Sequence, residues 1–428
     1  MGGDDTLAGQ LGRLGATEEA ERIAASDAIA KMVERGEDVS AALPALGRAL
    51  SDENATVRGN VAWIFAYLGQ QGADLGAVVE ALAGALGQTQ VNVARNVAWA
   101  LGQTAARADI STALPGLVAQ LGRDETFGNA RAALAAAIAA GPARAAARRA
   151  VEEAFERGGD REGGATRTRA AMILTRDDLG RDDHAAVEAR ARHADWYARF
   201  GVVKAVAEIA GEGKLAPAEV TLLASLLADA DASVRHAAAA ALIDAVEKGT
   251  DIAAALPALA GALADPELPV RKEAIWACAM LARRGTALGP ARAPLEACAA
   301  DDVTRGNASI GLFFDDLRAG DRGPAEAALG AAHGHTQFAA AYALTEHATR
   351  TTDRALFESI LRRIRVGIGD VAISQGIAGA IADRQRRGED ARWPVDVIQS
   401  LIAATTDPLV QTPLYGVLMN LQRATSDG

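Results

Sequence analysis

The sequence predicts an all-α fold, a right-handed α-solenoid of about twelve two-helix repeats, and three observations carry that expectation. Asp38-Val39-Ser40-Ala41-Ala42-Leu43-Pro44 returns as Asp109-Ile110-Ser111-Thr112-Ala113-Leu114-Pro115 and as Asp251-Ile252-Ala253-Ala254-Ala255-Leu256-Pro257. Self-similarity at a fixed period marks a repeat array. Three of the five tryptophans, Trp63, Trp99 and Trp276, each stand six residues after a valine (Val57, Val93, Val270), at a period near 36 residues. Finally, Val57, Val61, Ile64 or Phe65, and Leu68 follow the spacing of one buried helical stripe.

Each unit reads as two helices. Val57-Arg58, Val234-Arg235 and Val270-Arg271 open the second helix, and Asn60-Val61-Ala62-Trp63 recurs as Asn96-Val97-Ala98-Trp99. The phase places second-helix starts near Glu21, Val57, Val93, Gly128, Thr166, Ala198, Val234, Val270, Thr304, Thr336, Val371 and Val410. Abundant alanine favours helix and lets helices approach closely. Gly36, Gly72, Gly141, Gly249 and Gly285 fall near second-helix ends, where a left-handed cap suits glycine. A solenoid buries its apolar faces against neighbouring repeats and so escapes the size limit of a globular core. One continuous array is expected, with N-terminal repeats over 1–142, divergent repeats over 143–200, central repeats over 201–318, and divergent repeats with a cap over 319–428. The run Gly158 to Gly164 reads as a flexible hinge, and Pro394, Pro408 and Pro413 mark the divergent end.

The proline, aspartate and arginine spacing of Pro44, Asp52 and Arg58 recurs in Pro257, Asp265 and Arg271, and its second half in Asp229 and Arg235. In this the chain resembles the HEAT-repeat family. The resemblance is clear over about residues 38–142 and 215–315 and faint elsewhere. It implies that the proline bends the first helix, that Asp and Arg form a stabilising ladder between neighbouring repeats, and that second helices line a concave inner surface. Trp99 with Gln103 also resembles the Trp-x-x-x-Asn feature of armadillo repeats, although Tyr67 and Met280 stand at the corresponding places after Trp63 and Trp276.

At 100° per residue, the +4, +7, +8 and +11 positions lie within about 80° of the valine, and the +6 tryptophan lies near 240°. The tryptophans are therefore expected to face outward, with the +3, +10 and +13 positions beside them. This face collects Asn60, Trp63, Tyr67 and Gln70; Asn96, Trp99 and Gln103; Trp276, Met280 and Arg283; then Asn307, Phe314 and Tyr342. Exposed aromatics beside amide side chains suit a protein interface. The alternative for each tryptophan is packing against the next repeat.

Composition and chemistry bound the rest. A net charge of −11 and a pI of about 5.2 argue against a general nucleic-acid binder. The clusters Arg362, Arg363, Arg365 and Arg384, Arg386, Arg387 read as solvated helix ends. Arginine, alanine and glycine usage points to a high-GC, bacterial genome. No apolar leader or spanning segment is visible, so a cytoplasmic protein with no membrane partner is expected. Cys278 falls on the buried stripe as a small core residue. His333, His335 and His347 match no zinc spacing, and Asp182-Asp183, Asp301-Asp302 and Asp315-Asp316 read as caps at helix ends. With no nucleophile, cofactor or metal set nominated, the expected function is a non-enzymatic scaffold that binds a protein or extended peptide in its groove. The alternative is a HEAT-like enzyme or accessory of the bilin-lyase or DNA-glycosylase kind.

Overall fold

The computed structural model describes residues 6–158, 164–364 and 370–426, and these contain helices and turns with no strand. The chain divides at Val206/Ala207 into two units, the border falling within α12. The first unit contains α1 (Leu7–Leu14), α2 (Glu19–Glu34), α3 (Leu43–Ala49), α4 (Ala55–Gln70), α5 (Val79–Ala85), α6 (Val91–Thr104), α7 (Leu114–Gln120), α8 (Phe127–Ala140), α9 (Arg144–Arg157), α10 (Gly164–Leu179) and α11 (His184–Ala191), with α12 (Trp196–Gly211) at the border. The second contains α13 (Pro217–Leu226), α14 (Ala232–Glu247), α15 (Leu256–Ala262), α16 (Leu268–Arg283), α17 (Arg292–Ala300), α18 (Arg305–Arg318), α19 (Gly323–Ala328), α20 (Gly334–Thr351), α21 (Arg354–Leu361), α22 (Asp370–Arg386), α23 (Arg392–Ala404) and α24 (Pro408–Ser426).

Every even-numbered helix is the second helix of a helical pair, and each begins within two residues of the start the repeat phase predicts. In the first unit α2, α4, α6, α8 and α10 stack one on the next, and in the second α14, α16, α18, α20, α22 and α24 do the same. The hinge expected over 158–164 rests on residues 159–163, which lie outside the described residues.

The recurring sequence motif has a local physical cause. Asp38, Asp109 and Asp251 each accept the backbone N–H two residues on, of Ser40, Ser111 and Ala253, at 2.9 Å. That Asx turn opens a short 3-10 turn that leads into α3, α7 and α15, with Pro44, Pro115 and Pro257 in the first helical turn, where no N–H is missed. Val39, Ile110 and Ile252 drop into the core behind the turn.

The second helices start and stop on equally local signals. The Asn54 side chain accepts the N–H groups of Thr56 and Val57 and caps α4, whose Val57, Val61, Ile64 and Phe65 are fully buried. Beyond α4 the chain turns through Gly72 at φ +85°, and Gly36, Gly249 and Gly285 take left-handed φ of +78°, +100° and +91° after α2, α14 and α16. Gly141 departs from this expectation. It is extended at φ −79°, and a Cβ there would collide with the Ala105 carbonyl oxygen, so glycine serves close approach to α6 and not a left-handed cap.

The ladder implied by the repeat resemblance is present. Arg22 grips Asp52 through Nε at 2.7 Å and Nη2 at 3.2 Å, while its Nη1 donates to the carbonyls of Ala16 and Thr17. Arg235 repeats the arrangement on Asp265 at 2.6 and 3.0 Å, with Nη1 on the carbonyls of Asp229 and Ala230. Arg167 and Asp195 form a third rung. Where the next repeat lacks the aspartate, Arg58 settles for the neutral amide of Gln90 at 2.9 Å.

Candidate functional site

The predicted outward face resolves differently in the two units. In the first, small residues bring successive second helices together. A Cβ on Gly69 would stand 3.2 Å from the Gln103 Cβ and 3.5 Å from the Ala100 backbone, and one on Gly102 would stand 3.4 Å from the Ala133 Cα. Close approach sets the α4 and α6 faces side by side. Arg107 ties their C-terminal ends by donating Nη1 to the Gly72 carbonyl at 2.9 Å and Nη2 to the Gln103 carbonyl at 3.2 Å.

On that face Trp63 is half-buried against the core and stacks on Tyr67, one turn on, with ring centroids 5.2 Å apart. Trp99 is 36% exposed, the most open of the three phased tryptophans. Asn96 and Gln103 stand three residues before and four after it, on the same helix face. Among the described residues, no hydrogen bond holds either side-chain amide. Asn60, the counterpart of Asn96, is instead consumed internally: its Nδ2 donates to Ser26 Oγ at 2.9 Å and Asp27 Oδ1 at 2.5 Å. Gln70 is exposed beyond the Trp63–Tyr67 stack. A row of amide, indole and amide can donate to and accept from a backbone laid across α6, while the indole covers an apolar side chain.

In the second unit Trp276 and Met280 are half-buried and Asn307 is exposed. Two residues expected to face outward do not. Phe314 and Tyr342 are 4% and 6% exposed, in edge-to-face contact at 6.1 Å between centroids, and Phe338 also stacks on Tyr342. The reason is that the C-terminal ends of α16, α18, α20 and α22 converge. Arg283, at the end of α16, lies over the Tyr342 ring and pairs through Nη1 with Asp383 of α22 at 3.1 Å. Arg350, at the end of α20, donates Nη1 to the Arg283 carbonyl at 2.9 Å. The Tyr342 hydroxyl bonds to Asp383, and Arg387 pairs with the nearly inaccessible Glu346 at 2.8 Å.

Of the second arginine cluster, expected to be solvated, Arg386 and Arg387 are exposed though paired, and only Arg384 departs from the expectation by being buried. Arg387 pairs with Glu346 and Glu389, Arg386 with Asp383, and Arg384 is buried beside Glu389. Arg363 donates to the Glu326 carbonyl, while Arg365 lies outside the described residues. Burial opposes ionisation of Asp383, yet the Tyr342 hydroxyl and the Arg283 and Arg386 guanidiniums hold its carboxyl below the usual carboxylate range. Burial pushes the Tyr342 phenol above its ordinary value, further raised by Asp383. The Tyr342–Asp383 contact is thus closed by its own charges, and the outward row does not continue through Phe314 and Tyr342.

The remaining chemistry-bearing residues settle into structural places. Asp183 caps α11 by accepting the Ala186 N–H, and Asp301 accepts the N–H groups of Val303 and Thr304 ahead of α18. Asp315 does something the sequence did not reveal, bridging repeats by accepting the Leu288 N–H and pairing with Arg292 and Arg318. His335 and His347 sit at opposite ends of α20, separated by about 18 Å at 1.5 Å per residue. Cys278 is fully buried, and burial pushes its thiol up to about 12. Among the described residues, no helix is long and apolar enough to cross a membrane.

No protein-family model and no curated protein matches this chain. Solved structures do. Kap121p bound to Nup53p aligns at 14% identity and a TM-score of 0.49 over 98% of this chain and 49% of that one. The Kap95:Nup1 complex aligns at 16% identity and 0.42, over 98% and 57% respectively. An engineered protein aligns at 20% identity and 0.30, over 98% of this chain and 99% of that one. The chain spans about half the length of the Kap121p structures it matches.

Proposed function

We propose that this chain is a non-enzymatic HEAT-like scaffold that binds a protein partner, through an extended peptide segment, in a groove lined by second helices. The reading rests chiefly on one observation: Trp99 is open to solvent between Asn96 and Gln103, whose amides have no partner among the described residues. An exposed indole between two uncommitted amides on one helix face suits a desolvated contact, where aromatic anchors carry most of the affinity. The neighbouring Trp63–Tyr67 stack and Gln70 extend the surface along α4.

Trp276, Met280 and Asn307 are retained as a lesser patch of the second unit, whereas Phe314 and Tyr342 act through packing. Arg283 belongs to the charge network.

Peptides selected from a displayed random library against the whole chain test the reading by fluorescence anisotropy. Trp99→Ala is expected to weaken a selected peptide by about 2 kcal/mol or more, roughly 30-fold, and Asn96→Ala or Gln103→Ala by less. Helical circular dichroism stays unchanged in all three. Selected peptides that bind these variants as well as the parent would refute it.

A further inference from the structure

Where α16, α18 and α20 converge, their C-terminal ends leave a cavity of about 280 Å³. Its charged lining is wholly basic: Arg283, Arg318 and Arg350, with His347 beside them and Phe314 and Leu317 as the apolar floor. Arg283 pairs through Nη1 with Asp383 and lies over Tyr342, with Nη2 3.7 Å from Glu346. The other two guanidiniums are only partly used. Arg318 spends Nε and Nη2 on Asp315, and Arg350 spends Nη1 on the Arg283 carbonyl. Among the described residues, no hydrogen bond engages Nη1 of Arg318 or Nε and Nη2 of Arg350. Two forks therefore present donors around one small cavity.

We infer that this cavity is a socket for the side-chain carboxylate of an acidic residue carried by the partner peptide. A carboxylate fits the planar donor edges of the two arginines, and the methylenes of a glutamate fit the Phe314 and Leu317 floor. That apolar floor also selects against phosphate, which would have to shed more hydration to sit on it. The basic groups also act on one another, although burial is the larger effect in each case. Burial and then the positive charges of Arg322 and Arg350 hold His347 below its ordinary pKa, against the opposing pull of Asp353. Burial and the nearby Arg283 and Arg387 lower Arg284 in the same direction, against Glu247.

The inference deepens the peptide-scaffold reading and rests on it, but it uses residues of the second unit only. N-acetylglutamate α-amide, whose one charge is the side-chain carboxylate, is the probe. It is titrated into the full chain while the His347 imidazole signal, assigned with His347→Gln, is followed by NMR.

Saturable movement of that signal and a rise in the His347 pKa are expected, with no response to N-acetylglutamine α-amide and a weaker one to inorganic phosphate. Arg350→Met and Arg318→Met should each weaken the probe about tenfold, with the thermal transition of each variant confirming the fold. A silent His347, equal binding of the glutamine analogue, or phosphate binding as tightly as the glutamate overturns the assignment. None of those outcomes bears on the Trp99 face, whose own failure is read from selected peptides and leaves the socket result standing.

Discussion

Replacing Asp265 by alanine removes three interactions at once. The two Arg235 bonds at 2.6 and 3.0 Å disappear, and the Glu267 N–H, which donates to Asp265 Oδ1 at 2.9 Å, loses its acceptor. The side chains of Arg235 and Asp265 are 12% and 6% exposed, so solvent compensates little. Breaking a buried pair by deleting one partner costs about 3–5 kcal/mol. Arg235 keeps the Asp229 and Ala230 carbonyls on Nη1, which places the expected loss near the bottom of that range, about 3 kcal/mol. Arg58, held by the uncharged Gln90, supplies the contrast: Arg58→Met should cost about 1.5 kcal/mol.

Because repeats unfold locally, one global transition is the wrong readout. Hydrogen exchange by mass spectrometry reports each helix separately. Asp265→Ala should lower protection in α14 and α16 while leaving α4 and α6 unchanged, and Arg58→Met should do the reverse at a smaller amplitude. In a double-mutant cycle, Arg235→Met and Asp265→Ala should couple by at least about 1 kcal/mol. Additive losses, or equal losses for Asp265→Ala and Arg58→Met, would refute the view that the charged rung carries the repeat interface.

Four further outcomes follow from the same geometry. Asp52, Asp265 and Asp315 are held below the usual carboxylate range by their arginines, with burial opposing in each case. Their folded pKa lies under the unfolded value, so their stabilisation is present above about pH 4 and is lost as pH falls through the folded pKa. An acid titration of helical signal should show this loss, shallower in Asp265→Ala. Gly84, inside α5, has open space where a Cβ would go, and Gly84→Ala should stabilise by up to about 1 kcal/mol. Gly141→Ala should instead destabilise by about 1–3 kcal/mol through its clash with Ala105, both read by hydrogen exchange in the affected helices. Cys278, inaccessible and with its thiol pushed up to about 12, should resist a thiol reagent in the native chain and react once urea exposes it.

The helical scaffold was legible because its signals are local. Asp38, Asp109 and Asp251 write the same Asx turn, Val57 and its kin write the stripe, and Gly72 or Gly249 writes the stop. The charged rungs were legible too, since Arg235 and Asp265 recur at a spacing a repeat family makes recognisable. What remained hidden is long-range. Arg283 meets Asp383 and Arg350 meets the Arg283 carbonyl only because four helix ends converge, and no periodic signal encodes that convergence. The phase angle alone therefore sent Phe314 and Tyr342 outward, whereas neighbouring helices cover them. Gly141 misled for a related reason, its glycine answering a tertiary clash in place of a backbone angle. Asn60 and Asn96 look identical in sequence, and only the presence of Ser26 and Asp27 beside the first separates a used amide from an uncommitted one.

The central claim is that the α6 face around Trp99 receives an extended peptide. A photo-reactive benzophenone amino acid in place of Trp99, and separately in place of Glu80 on the exposed side of α5, tests it most directly when each chain is irradiated with a selected peptide. Efficient cross-linking at position 99, competed by unlabelled peptide, and background at position 80 are expected. Equal labelling at both positions, or labelling at 80 alone, would contradict it.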